Sequence, residues 1–376
     1  VKDVAVIIPT IREYKALTAY LDNARAAGFP TDRLLVFLVA EDSSPLPEMR
    51  AYLKDAGVEG EVYGQKERDA WFDGHGLGAS KGVVPRRSHA ETSFGLLRML
   101  EDPSLKYGVF IDDDTSPIAG QDYFGTHLAN LQVTGKHLEV STGPWVDVLR
   151  AGSTLATVPP RGFPFGVSPA SPQERQVEVK RVVCSQGLWT QTPDFDAVRI
   201  LAVGGPRVRD GIPGVEGKGS NFARTFAAPI GSPITICSMN LAFVRDIIPA
   251  FYQFPMDDNQ WGVGRFDDIW SGLVLKRVAD SFGWHTLHGL PLCRHAKAGR
   301  NVFRDLSLEA AGLHLNEVMA DILAKVEVDG PLEARAAAVA GALEGGDWSS
   351  LHNGPFLNYC GKQMRTWIAC CEALVG

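Results

Sequence analysis

The sequence has no apolar run approaching the ~18 residues needed to cross a bilayer, no block of like charge and no internal repeat. A membrane partner is therefore not expected. Net positive charge is also lacking: 37 Lys and Arg stand against 44 Asp and Glu, giving a formal charge of -7. Nucleic-acid binders need a net basic face to neutralise phosphates, so that class is set aside. The six cysteines (Cys184, Cys237, Cys293, Cys360, Cys370 and Cys371) include no Cys-x-x-Cys pair. The only neighbours, Cys370 and Cys371, are adjacent, a poor geometry for a disulfide. Neither a structural zinc site nor a disulfide framework is expected, and a reducing cytoplasm fits this usage. What is present, 45% hydrophobic and 22% charged residues over 376 positions, suits a globular protein with a sizeable core.

The first third alternates strand and helix signals. Val4–Ile8 and Leu34–Val39 are continuous apolar runs, the mark of strands buried on both faces. Amphipathic stretches at Tyr14–Ala27 and about Ala90–Leu100 follow them. This β-α-β alternation predicts a parallel sheet with helices on both faces. Residues 142–175 and 203–220 read as Pro-, Gly- and Ser-rich loops, with strand-like runs at Val177–Val183 and Ile234–Cys237. Asp267–Phe282 carries helical spacing at Ile269, Leu273, Val274 and Val278. Ala- and Leu-rich helices are expected at 315–326, 331–343 and 362–374. The division expected is a catalytic domain over 1–304 and a helical region over 305–376.

The densest chemical signal is Asp112-Asp113-Asp114, at the end of the apolar run Tyr107–Ile111 and before the turn residues Thr115-Ser116-Pro117. Carboxylates so placed can converge on Mg²⁺ or Mn²⁺, which take oxygen ligands and complete their shell with substrate phosphates. A solvated acidic turn is the plainer alternative. Pro9, Thr10 and Arg12 follow the first strand and offer a hydroxyl and a guanidinium to a base or phosphate; a helix start with surface charges is the plainer reading. Glu41 and Asp42 follow the second strand, where a carboxylate can accept from the edge of a base. His295 ends another strand-like segment and suits a third ligand to the metal. Lys297 and Arg300 are cations fit for a diphosphate. Asp267 and Asp268 open a helix, which capping explains for one and sugar hydroxyls for the other. Arg161 sits in Pro159-Pro160-Arg161-Gly162-Phe163-Pro164-Phe165, where stacking on Phe rings is the plain reading.

Together these segments resemble the reversibly glycosylated polypeptide family, whose best-known members are plant UDP-arabinopyranose mutases. The resemblance rests on Ile7–Arg12, Ile111–Asp114, Arg161–Phe165, Ser185–Trp189 with Pro193–Asp196, Met239–Phe243, Gly264–Trp270, and Gly289–Pro291 with His295–Ala298. These occur in the family's order over about residues 4–303. They imply a GT-A-like, Rossmann-type α/β fold with a mostly parallel sheet, and interconversion of pyranose and furanose forms of a nucleotide-linked sugar. The resemblance assigns Asp112–Asp114 to the metal and diphosphate, and matches Arg161 to the arginine that becomes glycosylated. It also brings Trp189 and Asn240 into the sugar- and nucleotide-binding set. Gln186 stands where the family has His, and Glu41 where it has Gln.

The expected site is thus Arg161, Asp113, Asp267 and Asp268 at the reaction centre, with Arg161 acting either at the anomeric carbon or on the leaving diphosphate. Asp112, Asp114 and His295 are expected on Mn²⁺ or Mg²⁺, since alternate residues of an extended segment reach one side. Pro9, Thr10, Arg12, Glu41, Asp42, Asp112, Trp189, Asn240 and Lys297 are expected on the nucleotide sugar. Guanine offers two adjacent donors to one carboxylate where uracil offers one, so Glu41 favours a GDP-linked fucose- or galactose-type sugar over UDP-arabinose; the plainer alternative has Glu41 facing solvent and Asp42 alone meeting uracil. The competing expectations are a metal-dependent glycosyltransferase with a separate acceptor, and a non-catalytic self-glycosylated carrier. Oligomeric state is open, with a homo-oligomer admissible.

Overall fold

Segments that are apolar at every position satisfy both their backbone and their side chains only inside a sheet covered on two faces. The computed structural model, which describes residues 1–10, 14–41, 43–152, 158–191, 194–203, 224–257, 259–296 and 301–376, places them there. Strands β1 (Val4–Thr10), β2 (Leu34–Ala40), β3 (Gly60–Tyr63) and β4 (Tyr107–Ile111) run parallel in the order β3-β2-β1-β4. Helices α1 (Leu17–Ala27), α2 (Leu46–Asp55), α3 (Gln65–Gly74) and α4 (Ser93–Glu101) connect them. Alternate residues serve two cores. Val4, Val6 and Ile8 of β1 join Leu21 of α1 and Met49 of α2, whereas Ala5 and Ile7 join Phe72 of α3 and Phe94 of α4.

Beyond β4 the chain adds β5 (Thr115–Pro117), α5 (Tyr123–Leu131), β6 (Gly135–Ser141), α6 (Val148–Gly152), β7 (Gln173–Val179), β8 (Val182–Gln191), α7 (Ala197–Ala202), β9 (Phe226–Ala227) and β10 (Asn240–Val244). It continues through α8 (Asp267–Ser281), β11 (His285–His295), α9 (Val302–Lys325), α10 (Leu332–Gly345) and α11 (Pro355–Val375). The sheet extends from β4 in the order β10-β8-β11-β9-β6-β7, with β5 on β11. Strand β10 is antiparallel to both β4 and β8, and β11 is parallel to β8. Two reversals restore the direction, so β1, β2, β4, β8 and β11 all end at one edge. Ligands bind outside the carboxyl ends of such strands. The sheet is therefore mixed, with its parallel half where the apolar runs predict it.

Several local expectations change. Ile234–Cys237 forms no strand: Ile234 makes one isolated bridge to Val146, and Ile236 packs under Gly272 of α8. Val177–Val183 spans two strands joined at Lys180-Arg181. Within 142–175, Asp147 accepts from Leu149 and Arg150 N–H and starts α6. Helix α9 starts well before residue 315, capped by the Asn301 side chain accepting from Phe303 N–H. Of the loop expected at 203–220, positions 204 onward lie outside the described residues. Helices α9–α11 pack on the catalytic core, with Leu315, Met319 and Trp367 in the same apolar cluster as Phe94 and Trp270. Among the described residues no helix is long and apolar enough to cross a membrane.

A buried histidine is paired at the sheet centre. His127 meets Ser185 Oγ through Nδ1 at 3.0 Å and Asn240 Oδ1 through Nε2 at 2.9 Å. Burial pushes His127 down to about 4, against the opposing bond from Asn240, and burial pushes His288 down to about 3. An unfolded His titrates near ~6.5. The unfolded chain thus binds protons that the folded chain refuses, so this stability is complete above ~6.5 and is lost as pH falls towards 4. Urea midpoints should decline through that window, and His127→Gln should flatten the slope by up to about 1.4 kcal/mol per pH unit. Parallel wild-type and variant slopes would show that His127 is not held neutral.

Candidate active site

Strand ends supply the wall. Asp112 follows β4, and a turn, rather than strand pleat, carries Asp113 and Asp114: Thr115 N–H donates to Asp112 O at 3.3 Å. The β5–β11 ladder sets His295 opposite Thr115, which brings His295 Nε2 to 3.5 Å from Asp114 Oδ2. Thr10, at the end of β1, donates to Asp113 Oδ2 at 3.4 Å.

Arg161 is seated on a loop whose backbone N–H donates to Asp194 O at 2.7 Å. Its Nε donates to both Asp194 oxygens at 3.1 and 3.0 Å, and its Nη2 lies 2.9 Å from Asp194 Oδ2 and 3.1 Å from Asp268 Oδ2. Its Nη1 donates to Arg265 O. The ring-stacked arginine is instead Arg199, 4.1 Å over the centroid of Phe165. Burial works against the charge of Arg161, but Asp194 and then Asp268 outweigh it and raise its pKa well above the ordinary guanidinium value.

The two acids opening α8 divide their work. Asp268 accepts from Ile269 N–H at 2.9 Å and from Arg161, as a capping acid and an ion-pair partner at once. Burial raises its pKa; Arg161 opposes this, while Asp267 and Asp194 reinforce it. Asp267 instead meets His89, whose Nδ1 lies 3.0 Å from Asp267 Oδ2 and whose Nε2 lies 3.2 Å from Asp112 Oδ1. Burial opposes charge on His89, yet its bonds to Asp112 and Asp267 raise its pKa well above that of free imidazole. Burial would raise Asp267 too, but His89 holds it below the usual carboxylate value. Asp257 is pushed up to about 6 by burial and then by Asp267.

These groups enclose two joined chambers. The inner, about 160 Å³, is lined by Asp112, Asp114, Asp194, Asp257, Asp267 and Asp268 against the cations Arg161 and Arg265 and the imidazoles His89 and His295. The outer, about 290 Å³, adds Pro9, Thr10, Glu41, Arg87, Ser88, Glu91 and Asp113. Trp189 and Asn240 line neither chamber. Trp189 is buried in the core, and the Asn240 amide donates to Leu188 O at 3.1 Å and Pro291 O at 2.9 Å, bonds that tie β10, β8 and β11 together. Gln186 pairs with His288 at 2.8 Å in the sheet interior. Arg12, Asp42, Lys297 and Arg300 lie outside the described residues.

Among the described residues, one group of three His, Cys, Asp or Glu side chains closes to within 4.8 Å: Asp194, Cys237 and Asp268. The Arg161 guanidinium already lies among them, with Nη2 3.9 Å from Cys237 Sγ, so that group holds an arginine. Asp112, Asp114 and His295 share the inner wall without closing into such a group. Sequence reasoning missed His89, a lone histidine in a segment with no motif. It also passed over Asp194, Asp257 and Arg265 as site residues, although Asp194 and Arg265 sit inside quoted motifs.

The profile of the reversibly glycosylated polypeptide family matches residues 2–375. UDP-arabinopyranose mutase 1 of Oryza sativa is 27% identical over 319 residues, covering 83% of this chain and 74% of that protein. UDP-arabinopyranose mutase 3 of Arabidopsis thaliana is 27% identical over 318 residues, covering 83% and 75%. A mannosyltransferase from Pyrobaculum calidifontis in complex with GDP-Man and Mn²⁺ aligns over 100% of this chain and 87% of its own, at a TM-score of 0.42 and 16% identity.

Gly162 fixes the exit of the Arg161 loop at φ +88°, and a Cβ there would come within 2.4 Å of Ile269 Cγ2 and 2.5 Å of Thr235 Cγ2. Gly162→Ala should therefore cost about 2 kcal/mol or more of unfolding free energy. Gly166→Ala, whose Cβ meets nothing nearer than Glu317 Oε2 at 3.5 Å, should cost about 0.5 kcal/mol or less. Urea denaturation of both variants checks this; equal midpoints would refute the seating argument.

Proposed function

The chain belongs to the reversibly glycosylated polypeptide family, and from that premise we propose that it is a metal-dependent mutase interconverting pyranose and furanose forms of a nucleotide-linked sugar. The observation that carries the reading is the placement of Arg161, which matches the family's glycosylated arginine. It lies on the inner chamber wall with Asp112 and Asp114. A sugar in the inner chamber would thus have its anomeric carbon near the guanidinium and its diphosphate towards the acids.

The donor set fits a hard divalent cation. Asp112, Asp114 and His295 offer carboxylate oxygens and one imidazole, a set suited to Mn²⁺ and acceptable to Mg²⁺. The chamber's charge makes the same demand, because six carboxylates outnumber two guanidiniums and the His89 cation, and that excess would repel a diphosphate. Such an ion, held by Asp112, Asp114 and His295, would neutralise the charge that develops on the departing diphosphate.

Ring contraction needs the ring oxygen to leave C1 and another hydroxyl to replace it. A lone pair on a C1-linked nitrogen can drive that oxygen off, whereas a cation beside C1 cannot. We therefore assign Arg161 as the nucleophile. One of its nitrogens bonds to C1 as the C1–O bond to the diphosphate breaks, and the nucleotide leaves with that electron pair. The guanidinium proton passes to Asp268, whose proton affinity burial raises. An N–H proton of the glycosylated guanidinium then passes to the ring oxygen as the ring opens to a C1 imine; a second hydroxyl closes onto C1, its proton returning to that nitrogen, and the diphosphate oxygen bonds to C1 as the C1–N bond breaks. Arg161 departs and recovers its proton.

Incubation with UDP- and GDP-sugars and Mn²⁺, without acceptor, should yield the ring isomer on anion-exchange chromatography. Chelation should abolish turnover and Mn²⁺ restore it. Arg161→Ala and Arg161→Lys should both retain nucleotide binding and lose at least roughly a hundredfold in kcat, since Lys lacks the planar fork. Sugar transfer only to an added acceptor would favour a glycosyltransferase, and labelling without turnover a carrier.

For the base, Glu41 on the outer chamber wall supports guanine, which can present two donors to its carboxylate. The relatives named for UDP-arabinopyranose favour uracil instead. Taking Glu41 as decisive, calorimetry in Mn²⁺ should show GDP binding ten- to a hundredfold tighter than UDP, about 1–3 kcal/mol for one unmatched buried acceptor. Glu41→Gln should narrow the ratio; tighter UDP binding would overturn the guanine assignment.

A further inference from the structure

Three side chains of α9 reach three different segments that hold Arg161. Glu309, 2% exposed, accepts from Ala197 N–H at 2.6 Å and from Arg265 Nε at 3.0 Å. The first bond fixes the segment after Asp194; the second fixes the residue whose carbonyl accepts from Arg161 Nη1. Asn316, also 2% exposed, donates to Gly162 O at 2.8 Å and accepts from Trp270 Nε1 at 3.2 Å. Trp270 offers only a donor, which settles the amide's orientation and leaves its NH₂ for Gly162. Glu317 accepts from Phe165 and Gly166 N–H at 2.8 and 3.0 Å.

Glu309 and Asn316 are seven residues apart, two helical turns, so they project from one face. Besides the Arg265 and Trp270 side chains, they bind Ala197 N–H at the start of α7 and Gly162 O in the Arg161 loop, backbone groups that no strand ladder fixes. Arg265 itself adopts φ +62°, an unfavourable conformation for a non-glycine residue that surrounding bonds must maintain. Leu323, two turns further along α9, contributes apolar packing and touches none of these segments through a hydrogen bond of its side chain.

We propose that α9 is a positioning element for Arg161, acting through Glu309, Asn316 and Glu317; the assignment rests on the mutase reading above. The helical C-terminal region then sets the geometry of the reaction as well as stability. A reacting atom displaced by ~1 Å can lose roughly a hundredfold in rate while the substrate still binds.

The test uses the full chain carrying Glu309→Gln, Asn316→Ala, Glu317→Ala or the control Leu323→Ala, at a temperature where circular dichroism shows all of them folded. Glu309→Gln and Asn316→Ala should lower kcat for acceptor-free isomerisation ten- to roughly a hundredfold, with KM within about twofold of wild type. Glu317→Ala, at a half-exposed position that tolerates truncation, should lower kcat several-fold and keeps the test available if a buried variant fails to fold. Leu323→Ala should lower stability without lowering kcat. A second readout needs no turnover: the Arg161 Nε–H resonance, assigned by its loss in Arg161→Lys, should shift in the three α9 variants and stay fixed in Leu323→Ala. Unchanged kcat and resonance in all three variants, or equal losses in Leu323→Ala, would overturn the proposal. If wild type does not isomerise any sugar, the mutase reading fails, while the resonance still reports whether α9 holds Arg161.

Discussion

A guanidinium removed from water must be paired, and the pairing of Arg161 organises this molecule. Taking a charge into the interior costs several kcal/mol, and losing one partner leaves that cost uncompensated. Asp194 arrives from the segment after β8, Asp268 from the start of α8, and the Arg265 carbonyl from the loop before it. Asp194 lies 33 residues from Arg161 in sequence and Asp268 lies 107, yet both must end within hydrogen-bond reach of one side chain. The backbone turn at Arg265, φ +62°, is part of that arrangement, since it carries the carbonyl that Arg161 meets.

Two carboxylates on one guanidinium leave an excess negative charge, and the surrounding acids add to it. His89 relieves part of that excess by bridging Asp112 and Asp267, at 3.2 and 3.0 Å, in the manner of a small cation. Acids in this chamber are therefore not equivalent. Asp267 stays ionised because His89 faces it, whereas Asp268 and Asp257 are driven towards the protonated form by burial and by each other's neighbours. Pairs of titratable groups pushed in opposite directions are characteristic of sites that move protons. The same imbalance is the reason a divalent cation enters the proposed chemistry: it would offset the repulsion between an acid-rich cavity and a diphosphate.

The sequence was most informative where one local pattern has one physical cause. Continuous apolar runs at Val4–Ile8 and Leu34–Val39, rich in β-branched residues or of strand length and followed by helix signals, read as strands covered on both faces, and they are. The Asp112–Asp114 turn was legible because strand ends in such sheets face the ligand edge. Ile234–Cys237 misled because an apolar run serves packing under a helix as well as it serves a ladder. Asn240 misled differently: it belongs to a family motif, but its amide ties three strands together away from the chambers. His89 and Glu309 were invisible since their roles are set by partners up to 178 residues away in sequence. No spacing rule reaches that far.

The double clamp on Arg161 also constrains how a nucleophilic guanidine would have to act. Moving a proton from a guanidinium to a carboxylate is steeply uphill, and the acids around Arg161, which raise its pKa further, make it steeper. Free deprotonation ahead of attack would therefore add a large cost before C1 reacts. Two features reduce that cost. Burial raises the proton affinity of Asp268, which offsets part of the opposing rise at Arg161, and Asp268 Oδ2 already lies 3.1 Å from Nη2, so the proton need travel no further than one hydrogen bond. Bond formation to C1 makes the attached nitrogen far more acidic as it proceeds. Proton loss and C1–N bonding are then best concerted, with Asp194 retaining the guanidinium's orientation while Asp268 receives the proton. On this account Asp194 and Asp268 differ in role: one keeps the arginine in place and the other lets it react.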